Sequence, residues 1–361
     1  MNQAPEPLGA HHVLLGAQAA SVTLPVCDHY CGTPALIVKS LKLQAEMAQE
    51  FGACVFDVTL DCEDGAPAGH ELEHANMLVA HMESAQGAIE TVACDPAANA
   101  AQAGKPAALL RRAVRVHAVD HPAFAQDVSV IVGRCAPALS HVMVPKIQSL
   151  ADVQRAVAHI DAACAKAGRS TTMPLHVLIE SPEAVHQAYR IAAHPRVQSM
   201  SFGVMDFVSS HGGAIPESAM SVQGQFTHPL VMRAKLEIAA ACHAHGKVPS
   251  HCVVTEFRDV AALGTAARRA SQELGYTRMW SIHPAQIRPI LEAFAPSGDA
   301  VEAAARIIES ARAASWAPIS VDGRLHDRAS YRFYWQLLQR AHQAGRTVPA
   351  GVRQMVQSAV A

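Results

Sequence analysis

Apolar residues gather along the chain in short runs, each followed by a longer stretch in which they return every three or four positions. The runs at 22–26, 53–60, 113–117, 141–144, 175–179, 198–204, 248–254 and 278–282 predict strands. The stretches at 150–167, 182–193, 229–245, 260–274 and 284–294 predict helices between them. Eight strand–helix repeats joined by short linkers make the count of a TIM (β/α)8 barrel within the α/β class. Polar residues close these strands in order: Glu63 with Asp64, Arg115, Lys146, Glu180, Asp206 and His283. A doubly wound open sheet would gather such groups near one switch point, and neither GxGxxG after the first strand nor a P-loop is present.

The division expected from this pattern has three parts. Residues 1–20, rich in Pro, Ala and Gly, are expected to be irregular, and 21–296 to form the barrel. Residues 297–361 are expected to form a C-terminal helical extension. It would hold a helix at 298–314, a turn-rich flap at 321–327 and a closing helix at 330–343.

The stretch 175–207 carries the chemistry. Leu175-His176-Val177-Leu178-Ile179 ends in Glu180, and Met200-Ser201-Phe202-Gly203-Val204 leads to Asp206, with a helix between. Catalytic groups of parallel barrels sit at the C-terminal strand ends. Two carboxylates there repel each other unless a cation lies between them. Oxygen donors of this kind select a hard divalent ion, Mg²⁺ first and Mn²⁺ second. Arg115 is read as a substrate-site cation, with an ion-pair role beside Glu63 or Asp64 as the alternative. Lys146 is read as an electrostatic, substrate-binding group rather than a Schiff base, because a metal already supplies the electron sink. His70-Glu71-Leu72-Glu73-His74 matches the zinc-protease pattern HExxH. It falls at a helix start, after a loop and without a third ligand in view, so a chance match among 21 histidines is the better account.

Composition removes other classes. The net charge of -2 implies no broad basic surface for nucleic acid, and no apolar run is long enough for a membrane span. The 9 cysteines are scattered without CxxC pairs, as in the reduced thiols of a cytoplasmic protein. No Lys or Arg precedes the first apolar residues, so a signal peptide is not expected.

Seven segments in order resemble the HpcH/HpaI aldolase superfamily, in its citrate lyase β-subunit-like branch, which includes malyl-CoA and citramalyl-CoA lyases. They are Asp61-Cys62-Glu63-Asp64-Gly65, Val114-Arg115-Val116-His117, Val144-Pro145-Lys146 and Ile179-Glu180-Ser181. Phe202-Gly203-Val204-Met205-Asp206, Trp280 to Gln286 and Gly323-Arg324-Leu325-His326-Asp327 complete the set. The resemblance implies that Glu180 and Asp206 ligate the metal and that Arg115 steadies developing negative charge. It also implies that Glu63 and Asp64 form an acidic pair near metal-bound water, and that Asp327 is supplied across a subunit interface as acid–base. A homo-oligomer built on trimers, as a trimer or hexamer, is implied in the same way. The chain departs from its relatives at Ala20-Ser21, at 26–29, and at His70 and His74, where relatives carry basic residues that hold CoA phosphates. The expected activity is Mg²⁺-dependent carbon–carbon cleavage or condensation of a hydroxy acid, free or as a CoA thioester. The alternatives are a CoA-independent pyruvate aldolase, a malyl-CoA-type thioesterase and a non-catalytic barrel that binds a 2-oxo acid.

Overall fold

The computed structural model describes residues 10–16, 24–93 and 110–360. Eight parallel strands close into a barrel: β1 Cys27–Cys31, β2 Phe56–Asp61, β3 Arg112–Arg115, β4 His141–Val144, β5 Leu175–Ile179, β6 Val197–Phe202, β7 Val248–His251 and β8 Arg278–Ser281. Each strand pairs with the next, and β1 pairs with β8 through Cys27 and Met279, which removes both sheet edges. Helices follow the strands because apolar stripes such as Val153, Ala156, Ile160 and Ala163 lie on one face and are buried. Local signals start them. Ser149 with Asp152 forms a capping box, and Ser181 accepts from the Ala184 amide ahead of Pro182.

The barrel interior is layered, because residues two apart on a strand face the same way. Tyr30, Met143, Leu178, Val253 and Trp280 form an apolar layer. Two residues earlier on their strands stand Asp28, His141, His176 and Arg278, all fully buried. Arg278 bridges Asp28 at 2.9 Å and Asp57 at 2.7 Å, and Thr59 donates to Asp28 at 2.7 Å. This polar layer explains the largest boundary difference. The first strand is 27–31, beyond the expected 22–26, because its inward Asp28 is matched by Arg278 of the last strand, so the segment does not read as an apolar run.

The chain separates into two compact units, 25–293 and a second made of the described residues up to Leu24 together with the chain from Phe294. The second unit has its own core, in which Leu14 and Leu15 join Ile308, Tyr331, Trp335, Leu338 and Val352. Ala10–Leu15 is a helix, within the segment expected to be irregular; its buried Leu14 and Leu15 give it a packing partner that composition does not disclose. The expected flap is an antiparallel hairpin, Ile319–Val321 against Arg324–His326. Asp322 and Gly323 turn it with φ of 51° and 74°, the left-handed pair that matches strand twist. The helices Gly298–Ala313 and Arg328–Gln343 lie where the periodicity puts them, and Ala350–Val360 adds one more. A small-residue loop expected at 95–105 falls outside the described residues. Among the described residues no helix is long and apolar enough to cross a membrane.

Candidate active site

β2 and β3 pair with Asp61 beside Arg115, and the side chains lock as a fork. Arg115 Nε and Nη2 donate to Asp61 Oδ1 and Oδ2 at 2.7 and 2.6 Å, and Nη1 lies 2.9 Å from Glu63 Oε2. The guanidinium also lies 5.5 Å from the centre of the Tyr30 ring. Burial works against its charge, but Asp61 and then Glu63 outweigh it, so Arg115 is held protonated more firmly than a free arginine. Burial likewise pushes the Asp61 carboxyl up, and Arg115 outweighs it to leave Asp61 ionised. Asp61 is the site residue the sequence reading missed. Its neighbours Glu63 and Asp64 drew the attention, whereas the contact that gives it a role comes from the adjacent strand.

Two glycines make the close approaches possible. Backbone N–H groups of Glu63 and Gly65 donate to Asp61 at 3.0 and 3.1 Å, and a Cβ on Gly65 would stand 2.3 Å from Asp61 Oδ2. On the opposite side, a Cβ on Gly203 would meet Glu180 Oε1 at 2.4 Å, so only glycine admits that carboxylate. Glu180 follows β5, two positions beyond the apolar layer's Leu178, and is buried. Its Oε2 accepts from the Lys146 amide at 2.8 Å. Burial, then Asp206 and Glu63, push the Glu180 carboxyl up to about 8. Asp206 is not at a strand end: β6 stops at Phe202, and Asp206 sits in the first turn of the helix Val204–Ser209.

Lys146 adopts φ 52°, an uncommon conformation for a non-glycine residue, and its ammonium turns into the acidic cluster. Nζ lies 2.5 Å from Glu63, 3.3 Å from Asp64 and 3.8 Å from Asp206. Burial lowers its proton affinity, yet the bond to Glu63 outweighs that and raises it. A lysine so firmly protonated is no Schiff-base nucleophile. Glu63, Asp64, Arg115, Lys146, Glu180 and Asp206 are thus one connected site at the C-terminal mouth. Asp327 belongs to the other unit, where its side chain caps Arg328–Gln343 by accepting from the Ala329 and Ser330 amides at 2.9 and 3.3 Å.

Two other histidine-bearing groups lack the character of sites. Asp28, His141 and His176 bring ligand atoms within 4.8 Å of one another. Arg278 already matches Asp28, however, and Ser201 and Ser199 engage both ring nitrogens of His176 at 2.6 and 2.7 Å. In the HExxH match, His74 is buried with Nε2 on the Asp61 carbonyl at 2.7 Å, while the exposed His70 precedes the helix that starts at Glu71. The two rings serve different neighbours.

The closed parallel barrel is a TIM-barrel scaffold that carries Arg115, Lys146 and five carboxylates, Asp61, Glu63, Asp64, Glu180 and Asp206, at its C-terminal mouth. The pattern of the HpcH/HpaI aldolase/citrate lyase family matches residues 41–284, and the chain belongs to that family. It is an enzyme, a carbon–carbon lyase. An L-malyl-CoA/beta-methylmalyl-CoA lyase of Cereibacter sphaeroides is 33% identical over 232 residues, 61% of this chain and 72% of that protein. The crystal structure of a citrate lyase from Burkholderia xenovorans superimposes with a TM-score of 0.74 at 43% identity, covering 93% of this chain and 97% of that one. CitE from Mycobacterium tuberculosis, in complex with magnesium, acetoacetate and coenzyme A, shares the fold with a TM-score of 0.60. It is 22% identical and covers 90% of this chain and 99% of that one.

Proposed function

We propose that this enzyme is a Mg²⁺-dependent lyase that cleaves, or in reverse forms, a carbon–carbon bond of a hydroxyacyl-CoA thioester of the malyl-CoA type. The observation that carries the reading is the Glu180 carboxylate, buried against Gly203 with Asp206 and Glu63 as its charge neighbours. A protein keeps a buried acid among acids where a cation completes the set. Glu180 and Asp206 offer hard oxygen donors and would hold Mg²⁺. When bound, the ion polarises the hydroxyl and carboxylate of the fragment that becomes the 2-oxo acid.

The chain's own residues supply the rest. Two of the five N–H donors of Arg115 bond Asp61 and Nη1 forms an ion pair with Glu63, so donors on Nη1 and Nη2 stay available for the enolate oxygen of the second fragment. Because Asp61 fixes the fork on two atoms, those donors are oriented before substrate arrives. Lys146 carries its positive charge to the same rim, where it attracts the substrate carboxylate while restraining Glu63. The relatives named for malyl-CoA support the thioester, despite His70 and His74 in place of basic residues.

The test is release of acetyl-CoA from malyl-CoA and propionyl-CoA from beta-methylmalyl-CoA, with Mg²⁺ and after its removal by a chelator. Free malate and 4-hydroxy-2-oxo acids run in parallel. Cleavage of a thioester that stops on chelation is expected. Turnover of the free acids alone would replace this reading with a CoA-independent aldolase, and hydrolysis to free CoA without carbon–carbon cleavage would make the enzyme a thioesterase.

A further inference from the structure

The sheet register continues past the last residues of β2 and β3. Cys62 N–H donates to the Arg115 carbonyl at 2.9 Å, and Val116 N–H to the Met143 carbonyl at 3.1 Å. In extended chain, residues two apart face the same side. The chain after β2 turns at once, with the Glu63 N–H bonded back to Asp61, whereas His117 lies two residues beyond Arg115 and has Glu63 among its charge neighbours. His117 is held in one orientation there. Asp127, fully buried at the end of the helix Phe124–Asp127, accepts the His117 backbone N–H at 2.9 Å, and the same oxygen lies 2.6 Å from Nδ1. The ring lies nearly flat on His121, with centroids 4.3 Å apart and planes at 12°. An Nδ1–H directed at Asp127 leaves Nε2 as the nitrogen that exchanges protons.

We propose that His117, aimed by Asp127, is the proton carrier of the lyase reaction in the barrel mouth. In the cleavage direction, Nε2 takes the proton of the substrate hydroxyl, and the O–H pair becomes the carbonyl bond of the 2-oxo fragment. The carbon–carbon pair passes to the other fragment as its enolate, whose oxygen faces Arg115. The same proton then moves from Nε2 to the enolate carbon, so no other reactant is consumed. The groups around the ring are Asp127, His121, Glu63 and Glu71. The hydrogen bond to Asp127 raises the affinity of His117 for its proton above that of an ordinary imidazole, and Glu63 and Glu71 add to it. Cleavage needs Nε2 unprotonated at the start, so kcat rises with pH through that shifted value.

This proposal rests on the lyase reading, and the experiment separates the two. Wild type, His117→Gln and Asp127→Asn are compared on malyl-CoA with Mg²⁺ across pH, with folding checked by circular dichroism. For His117→Gln, a kcat loss of roughly 10²-fold or more is expected with KM little changed. The acidic limb of its pH profile should vanish, and added imidazole should restore part of the rate. In Asp127→Asn the limb moves to lower pH. The C–H proton resonances of His117, followed by NMR without substrate, should titrate at lower pH in Asp127→Asn than in wild type. Wild type that cleaves no thioester overturns the lyase reading together with this role. Wild type that cleaves, while His117→Gln keeps its kcat and its acidic limb, overturns the role of His117 alone, as does a titration that Asp127→Asn leaves in place.

Discussion

Glu180 meets two opposed demands: burial favours its neutral form, while a metal ligand must be ionised. Replacing it with the amide keeps the shape and removes the anion. Glu180→Gln and Asp206→Asn should each weaken Mg²⁺ binding severely in calorimetric titration, and affinity retained in both variants would show that the ion sits elsewhere. Arg115 is a sharper case, because its value lies in the fork. Lysine at that position keeps a charge but forfeits the two-point grip on Asp61. Arg115→Lys should lower kcat by roughly 10²-fold, the cost of one lost oxyanion donor. A lysine variant with wild-type kcat would make the residue a structural partner of Asp61.

At the scale of the element, strand ends and turns place the groups, and glycine decides how close they come. Gly203 follows β6, and its missing Cβ is the space that Glu180 occupies. Gly203→Ala should push the carboxylate away from Asp206, lowering Mg²⁺ affinity by about 10-fold or more, since contacts near 2.4 Å cannot be absorbed without displacement. Titration of Mg²⁺ beside a thermal melt checks it: a variant with normal affinity would mean that Glu180 relaxes without leaving the ion. The periodicity located β4 to the residue because His141-Val142-Met143-Val144 is an unbroken buried run. It misplaced β1, where Asp28 and His29 look like loop residues until Arg278 and Ser281 meet them. It read 321–327 as a flap because Asp322 and Gly323 mark a turn, while pairing with 319–321 depends on a partner no local pattern names.

Across the whole molecule, the buried polar layer makes stability depend on pH. Burial lowers His29 to about 4, His141 to about 3, and His176 well below the ordinary imidazole value. These histidines fold neutral, whereas the unfolded chain protonates near 6.5. Their contribution is therefore complete above about pH 6.5 and is lost as pH falls toward 4 and then 3. Each costs up to about 1.4 kcal/mol per pH unit within its window. Glu180, raised to about 8, and Glu63, His117 and Asp28, also raised, act in the opposite sense and soften the slope. The denaturant midpoint should fall between about pH 7 and about pH 5. A midpoint that rises over that interval would mean the layer is not held neutral.

The eight-fold strand–helix count and the polar groups that follow successive strands were already legible in the chain, although Asp206 proved to lie in a helix turn after β6, because period-2 and period-3.6 burial are local and parallel barrels gather their C-terminal ends. Glu63, Asp64, Arg115, Lys146, Glu180 and Asp206 could be picked out on that basis alone. What each does there came from closure of the ring. Asp61 became the clamp of Arg115 through register between β2 and β3, and Lys146 turned into the acidic cluster through a left-handed backbone. His117 gained an orienting carboxylate from Asp127. Asp327 bonds the first amides of its own helix, a role set by local geometry within the second unit. Charge pairing is a property of distance in space, and distance along the chain does not encode it.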